Sequence, residues 1–152
     1  MQICIFILDK ICYVLKNNTE VSQIDFMALN YKRLRVVRDS RGVVFEPVET
    51  NDIERHKNAH VVISGPGVIR GNHYHVQGEE TMAVMGPALV RTRDNTGIAD
   101  LEVPEGEAYQ FRFIPGMSHA IKNLSDQSNV LMAFNTVEHN PEDPETVKDV
   151  IL

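Results

Sequence analysis

The sequence predicts an all-β fold, a sandwich or barrel of short antiparallel strands. Two observations carry this. From about Leu34 onward, apolar runs of roughly five to eight residues recur, and turn-forming clusters separate them. No long helical periodicity interrupts the series.

The expected strands follow in order. VVFEPV spans 43–48, AHVVIS 59–64, TMAVM 81–85 and ALVRTR 88–93. IADLEV spans 98–103, YQFRFI 109–114, HAIKNL 119–124 and NVLMAFN 129–135. Between them lie SGPG, VQGE, GP, DNTG, PEGE, PG and SDQS, all rich in turn formers. RDNTGIADLEV reads as a hairpin with Asn95, Thr96 and Gly97 at its tip. Helix is expected only near the ends. NPEDPETVKDVIL begins acidic and Pro-rich, then suits one or two helical turns, with Asp143 before Pro144 as the start signal.

A chain of 152 residues suits a single domain and buries enough surface to fold without crosslinks. Its formal net charge of -6 excludes a general nucleic-acid binder, which needs a basic face. A small anionic ligand remains compatible, because a few local arginines hold a phosphate. Arg70, Arg91, Arg93 and Arg112 are candidates, and solvated strand ends are an equally good reading of each.

Cys4 and Cys12 are the two cysteines, both in the first segment, so neither a disulfide framework nor a cysteine zinc site is readable. A reducing, cytoplasmic setting fits. The opening MQICIFILDKICYVLKN is apolar, but Asp9 and Lys10 break it into pieces too short to span a bilayer. It lacks a basic leader region and a small-residue cleavage site. MALNYKRLRVVRDSRG, from Met27, reads as a natural start. Residues 1–26 are therefore expected to be a non-core N-terminal extension, poorly packed or helical, and 27–152 a single domain. No membrane partner is expected.

Chemistry concentrates in GVIRGNHYHVQGEE, from Gly67 to Glu80. On a strand, His73 and His75 face one side and Tyr74 the other. Two adjacent imidazoles suit a divalent metal, and a carboxylate returning after the turn at Gly78, Glu79 or Glu80, can reach the same ion. His119 follows the turn PGMS and is a candidate fourth ligand. A catalytic base and a plain histidine-bearing strand are the competing readings. His56, His60 and His139 read as surface or packing residues.

The spacing resembles the cupin superfamily. Gly67, His73, His75, Glu79 and Gly86 stand where the first cupin motif has its glycines and ligands, and PGMSHAIKN resembles the second motif. Gly106 stands for the glycine that opens the second motif, at a longer distance from Pro115 than is usual. The resemblance covers Gly67 to Asn123 and implies a double-stranded β-helix, the cupin or jelly-roll barrel, with one divalent ion in its lumen. It assigns the ligand roles to His73, His75, Glu79 and His119, with Glu80 as the rival of Glu79. Three imidazoles and a carboxylate favour zinc and accept iron, nickel or manganese.

GVIRGNHYH and the tail FNTVEHNPEDPET resemble the C-terminal cupin domains of capsular polysaccharide reductase–epimerases. DSRGVVFEP and RGNHYH resemble, more distantly, the dTDP-4-dehydrorhamnose 3,5-epimerase group. Both imply an epimerase or isomerase of a nucleotide-linked 4-keto sugar in surface polysaccharide biosynthesis. In the second group the first histidine of the motif is a catalytic base without metal, so His73 has two implied roles, and the fuller ligand set favours the metal. Tyr109 is a candidate proton carrier, with Lys122 and Tyr74 as weaker ones. Arg70 is a candidate for the diphosphate; simple alternation puts it off the face of His73 and His75, at the barrel mouth. A homodimer is implied by resemblance. The alternatives are an iron-dependent cupin dioxygenase and a non-catalytic small-molecule-binding cupin.

Overall fold

The computed structural model describes residues 4–8, 11–16, 20–24, 29–142 and 144–152. Strands β1 (Cys4–Leu8), β2 (Ile11–Lys16) and β3 (Glu20–Ile24) form an antiparallel meander of their own. The helix allowed for this segment is thus replaced by strand at these residues. Runs such as CIFIL and ICYVLK are rich in β-branched and aromatic residues, which favour the pleated backbone. Next come β4 (Tyr31–Arg33), the small hairpin β5 (Val37–Asp39) and β6 (Gly42–Val44), and one helical turn, α1 (Thr50–Ile53).

The barrel strands follow: β7 (Asn58–Ser64), β8 (Ile69–His75), β9 (Glu80–Met85), β10 (Ala88–Arg93) and β11 (Ile98–Val103). After these come β12 (Ala108–Phe113), β13 (Ser118–Asn123), β14 (Asn129–Asn135) and β15 (Thr146–Lys148). They form two five-stranded sheets, in the orders β11-β10-β13-β8-β15 and β4-β12-β9-β14-β7. All named pairings are antiparallel, and the sheet-to-sheet crossings are those of the jelly-roll barrel expected from the sequence. Among the described residues no helix is long and apolar enough to cross a membrane.

Side-chain alternation explains the core. Along β10, Ala88, Val90 and Thr92 are buried while Leu89, Arg91 and Arg93 are not. Val90, Val103 and Ile121 from one sheet meet Val84, Phe111 and Leu131 from the other. Each such side chain contributes about 1.5–3 kcal/mol by leaving water. The 93–98 hairpin has the expected tip, where one oxygen of Asp94 accepts from the backbone N–H groups of Thr96 and Gly97.

The run VVFEPV is strand only at Val43 and Val44, in β6, and two further features differ from the expectation. Among the described residues the C-terminal tail is not helical: Thr146–Lys148 pairs with β8 as β15, and the proposed start signal, Asp143, lies outside the described residues. Tail residues find backbone partners on a strand already in place, which outweighs a weak local helix preference. The second feature is a bulge in β8. His119 pairs with His73 but Ala120 pairs with Gly71, so Asn72 is an extra residue. Gly71 and Asn72 both have positive φ, 85° and 58°.

Candidate metal centre

Three strands and both sheets meet at the site. His73 and His75 come from β8, His119 from β13 beside it, and Glu80 from the start of β9 in the facing sheet. The direct pairing of His119 with His73 puts their side chains on one face. Ring centroids of His73 and His119 are 4.7 Å apart, those of His73 and His75 5.2 Å, and those of His75 and His119 5.6 Å. One ligand atom from each of His73, His75, Glu80 and His119 lies within 4.8 Å of all the others. Ligands about 2 Å from a shared zinc stand roughly 3.3–4 Å apart, so small side-chain adjustments close the shell.

The carboxylate is Glu80, not Glu79. Period-two alternation on β9 turns Glu80, Met82 and Val84 inward and leaves Glu79 on the outer side. There Glu79 pairs with Arg112, and with Arg55 at 2.9 Å. Of the two acids that the Gly78 turn delivers, the first is thus occupied by guanidinium groups. Its carboxyl is held below its ordinary value, chiefly by the Arg112 hydrogen bond.

Buried polar atoms without partners point into this cluster. Nε2 of His75, Nε2 of His119 and Oε2 of Glu80 are buried and make no well-formed hydrogen bond. Oε2 of Glu80 lies 2.9 Å from His119 Nε2 and 3.5 Å from His75 Nε2, close enough to attract but not aligned to bond. Such orphans are costly unless something completes them. A divalent cation takes lone pairs from all three at once, so the donor set fits a metal ion. The other Glu80 oxygen accepts from Asn135 Nδ2 at 3.3 Å, which turns Oε2 toward the histidines.

Electrostatics agree with that arrangement. Burial disfavours a charged Glu80, but the close approach of the His119 and His75 rings outweighs it and holds the carboxyl well below the ordinary range. His73 is pushed down to about 4, first by burial and then by repulsion from His119, so it is a neutral imidazole at neutral pH. Burial pulls His75 down as well, yet Glu80 and Glu145 together raise it. The His119 ring is fully buried and stacks on Phe113 with centroids 4.1 Å apart and planes 2° apart. That stack fixes the ring against the core.

The other candidates stand elsewhere. Tyr109 shares the inner face of β12 with Phe111 and Phe113, but those two rings separate it from His119. It stacks on Tyr31 instead, 5.6 Å between centroids. A proton-carrying role for Tyr109 at this cluster therefore has no support in the geometry. Arg70 is exposed and does not line the pocket that opens onto the histidines. The bulge at Asn72 also alters its face, because Arg70 pairs with Ile121, which alternation sets on the side of His119. Lys122 pairs with Ile69 and Tyr74 with Val147, one residue out of step with the ligands in each case.

The pocket over the cluster is lined by His60, His73, His75, Glu80, Asn135 and Glu145 among others. His60 and His139 are exposed, as the sequence led one to expect, yet both line this pocket. Glu145 and Asn135 were missed in the sequence. Asn135 carries no local signal beyond ending an apolar run, and Glu145 reads as the first turn of a helix.

Residues 37–147 match the family described as the polysaccharide biosynthesis C-terminal domain. The chain belongs to that family. No curated protein sequence matches it. Among solved structures, the family domain is similar to the capsular polysaccharide assembling protein CapF from Staphylococcus aureus. The two share 27% identity over 78% of this chain and 33% of that one, with a TM-score of 0.58. The present chain thus spans about a third of CapF. The fold is also that of a dTDP sugar isomerase from Desulfovibrio desulfuricans, at 13% identity over 80% and 83% of the two chains, TM-score 0.67. A sugar 3,4-ketoisomerase from Thermoanaerobacterium thermosaccharolyticum, solved with TDP, matches at 12% identity over 82% and 90%, TM-score 0.61. The family domain, like these neighbours, is a cupin barrel.

Proposed function

We propose that this cupin domain is a metal-dependent epimerase or isomerase of a nucleotide-linked 4-keto sugar, serving surface polysaccharide biosynthesis. The observation that carries the reading is the convergence of His73, His75, Glu80 and His119 with three buried atoms left unpaired. The family supports the polysaccharide setting. Neighbours described as a capsular polysaccharide assembling protein, a dTDP sugar isomerase and a TDP-bound ketoisomerase support the substrate class.

Epimerising a carbon beside a ketone means removing its proton, which leaves negative charge on the keto oxygen. His73, His75, Glu80 and His119 would hold a divalent ion, zinc first among the candidates, and the ion would supply a Lewis acid for that oxygen. His73, His75 and His119 supply the lone pairs, and Glu80 offsets part of the ionic charge. Neutral His73 is suited to this without first losing a proton. The base that takes the carbon-bound proton has to stand in the same pocket, and His60 and His139 occupy its wall. His73, offered by the sequence as ligand or base, is read here as ligand because its ring sits within the cluster.

The test is to incubate the zinc-loaded protein with a nucleotide-linked 4-keto-6-deoxy sugar in deuterated water. Deuterium entering C3 or C5 supports the reading. Its absence from both carbons and from C4, where a shift of the ketone would place it, removes the reading.

A further inference from the structure

The C-terminal tail does more than add a short strand. Its residue Glu145 divides its two carboxylate oxygens between two tasks. Oε1 accepts from the backbone N–H groups of Gln77 and Gly78, in the turn that leads from β8 to β9. Oε2 faces Nδ1 of His75 at 3.3 Å. The opposite nitrogen of that ring, Nε2, is the one that faces Glu80.

The tail that carries Glu145 is tied down along its length. Asn72, the bulge residue, accepts from the backbone N–H groups of Ile151 and Leu152, and its own backbone oxygen accepts from Asp149 N–H at 2.8 Å. Asp149 takes hydrogen bonds from Ser118 and Arg93. Arg91 donates to the carbonyl of Ile151 at 3.1 Å. Glu145 is therefore a fixed acceptor, held by the anchored strand that follows it and by the Gln77 and Gly78 amides.

We propose that Glu145 is a positioning residue that keeps the His75 proton on Nδ1 and so leaves the Nε2 lone pair for the metal. A carboxylate can only accept, so the ring nitrogen facing it has to be the donor. The competing acceptor, Glu80 Oε2, is farther from Nε2 at 3.5 Å and is shared with His119 at 2.9 Å. A histidine ligand usually has its second nitrogen fixed in this way. The inference rests on the metal reading above, but it concerns a proton on this chain and can be read without metal.

Glu145→Gln separates positioning from scaffolding. The amide oxygen stays with the two backbone donors, because an NH2 group there would face two N–H groups. The NH2 then faces Nδ1 of His75, which has to accept, and the proton moves to Nε2. The fold keeps its turn while the ring presents the wrong nitrogen. Glu142→Gln, an exposed change in the same tail, is the control.

Two measurements decide it: zinc affinity, and the His75 tautomer by long-range nitrogen–proton NMR on metal-free protein. The NMR is run at about pH 9, well above the ordinary imidazole value. The expected result for Glu145→Gln is an unchanged melting temperature without metal and zinc binding weakened about 10–100-fold. The tautomer should change from Nδ1–H to Nε2–H, while Glu142→Gln matches wild type throughout. An unchanged tautomer overturns the proposal, whether or not zinc affinity falls. Wild-type protein that takes up no zinc overturns the metal reading instead, and the tautomer comparison still decides the role of Glu145.

Discussion

Glu79 and Glu80 are adjacent in sequence and separated in space by the sheet between them. Glu79 pairs with Arg55 and Arg112 on the outside, while Glu80 stands among three histidines within. The side-chain alternation of one strand is enough to split two identical residues between a surface ion-pair network and a buried candidate centre.

The outer pair has a consequence in acid. Glu79 sits below its ordinary value of 4.5, chiefly because of the Arg112 hydrogen bond. A carboxyl depressed in the folded state adds stability above the unfolded value and loses it as pH falls through the folded one. Denaturant titrations of wild type and Arg112→Met between about pH 5 and pH 3 should therefore converge as pH falls. With Arg112 about 40% exposed, the gap at the upper end is on the order of 1 kcal/mol or less. Curves that stay parallel across this range would remove the pair from the acid response.

Gly71 is expected to be the most demanding glycine next to the site. A Cβ there would lie 2.6 Å from the backbone oxygen of His119, at a φ of +85°. Gly67 shares the left-handed backbone, φ +70°, but faces open space. Gly67→Ala should cost about 1–2 kcal/mol from backbone strain alone. Gly71→Ala should exceed it by about 2 kcal/mol or more, because β8 and β13 have to separate. Equal losses in chemical denaturation would mean that the bulge tolerates spreading.

Strands β1–β3 pair only with one another among the described residues, and the family match begins at residue 37. Removing residues 1–26 is expected to leave the melting temperature of the rest within about 2 °C of the full chain. A larger fall, or loss of soluble protein, would show that the extension belongs to the fold.

Much of this architecture was legible because it depends on alternation. ALVRTR and IADLEV announce both their strands and their turn, and the structure pairs them through the expected tip. The shared face of His73 and His75 follows from the same rule. What stayed hidden depends on single-residue events. The Gly78 turn decides which of two glutamates points inward, and one residue either way exchanges them. The bulge at Asn72 shifts Arg70 relative to the histidines, and no periodicity records an inserted residue. Tyr109 lies on a face consistent with the site but too far along it, a distance that alternation does not measure. Thr146–Lys148 is too short to show a pattern, and its partner lies some seventy residues back. With that strand unseen, Glu145 had no visible link to His75.

The most direct test of the account is the zinc content of purified, zinc-exposed variants. Wild type, Glu79→Gln and His139→Ala are expected to hold about one zinc per chain, and Glu80→Gln and His75→Ala to lose most of it. A Glu80→Gln protein that keeps its zinc, or a Glu79→Gln protein that loses as much as Glu80→Gln, would contradict the site described here.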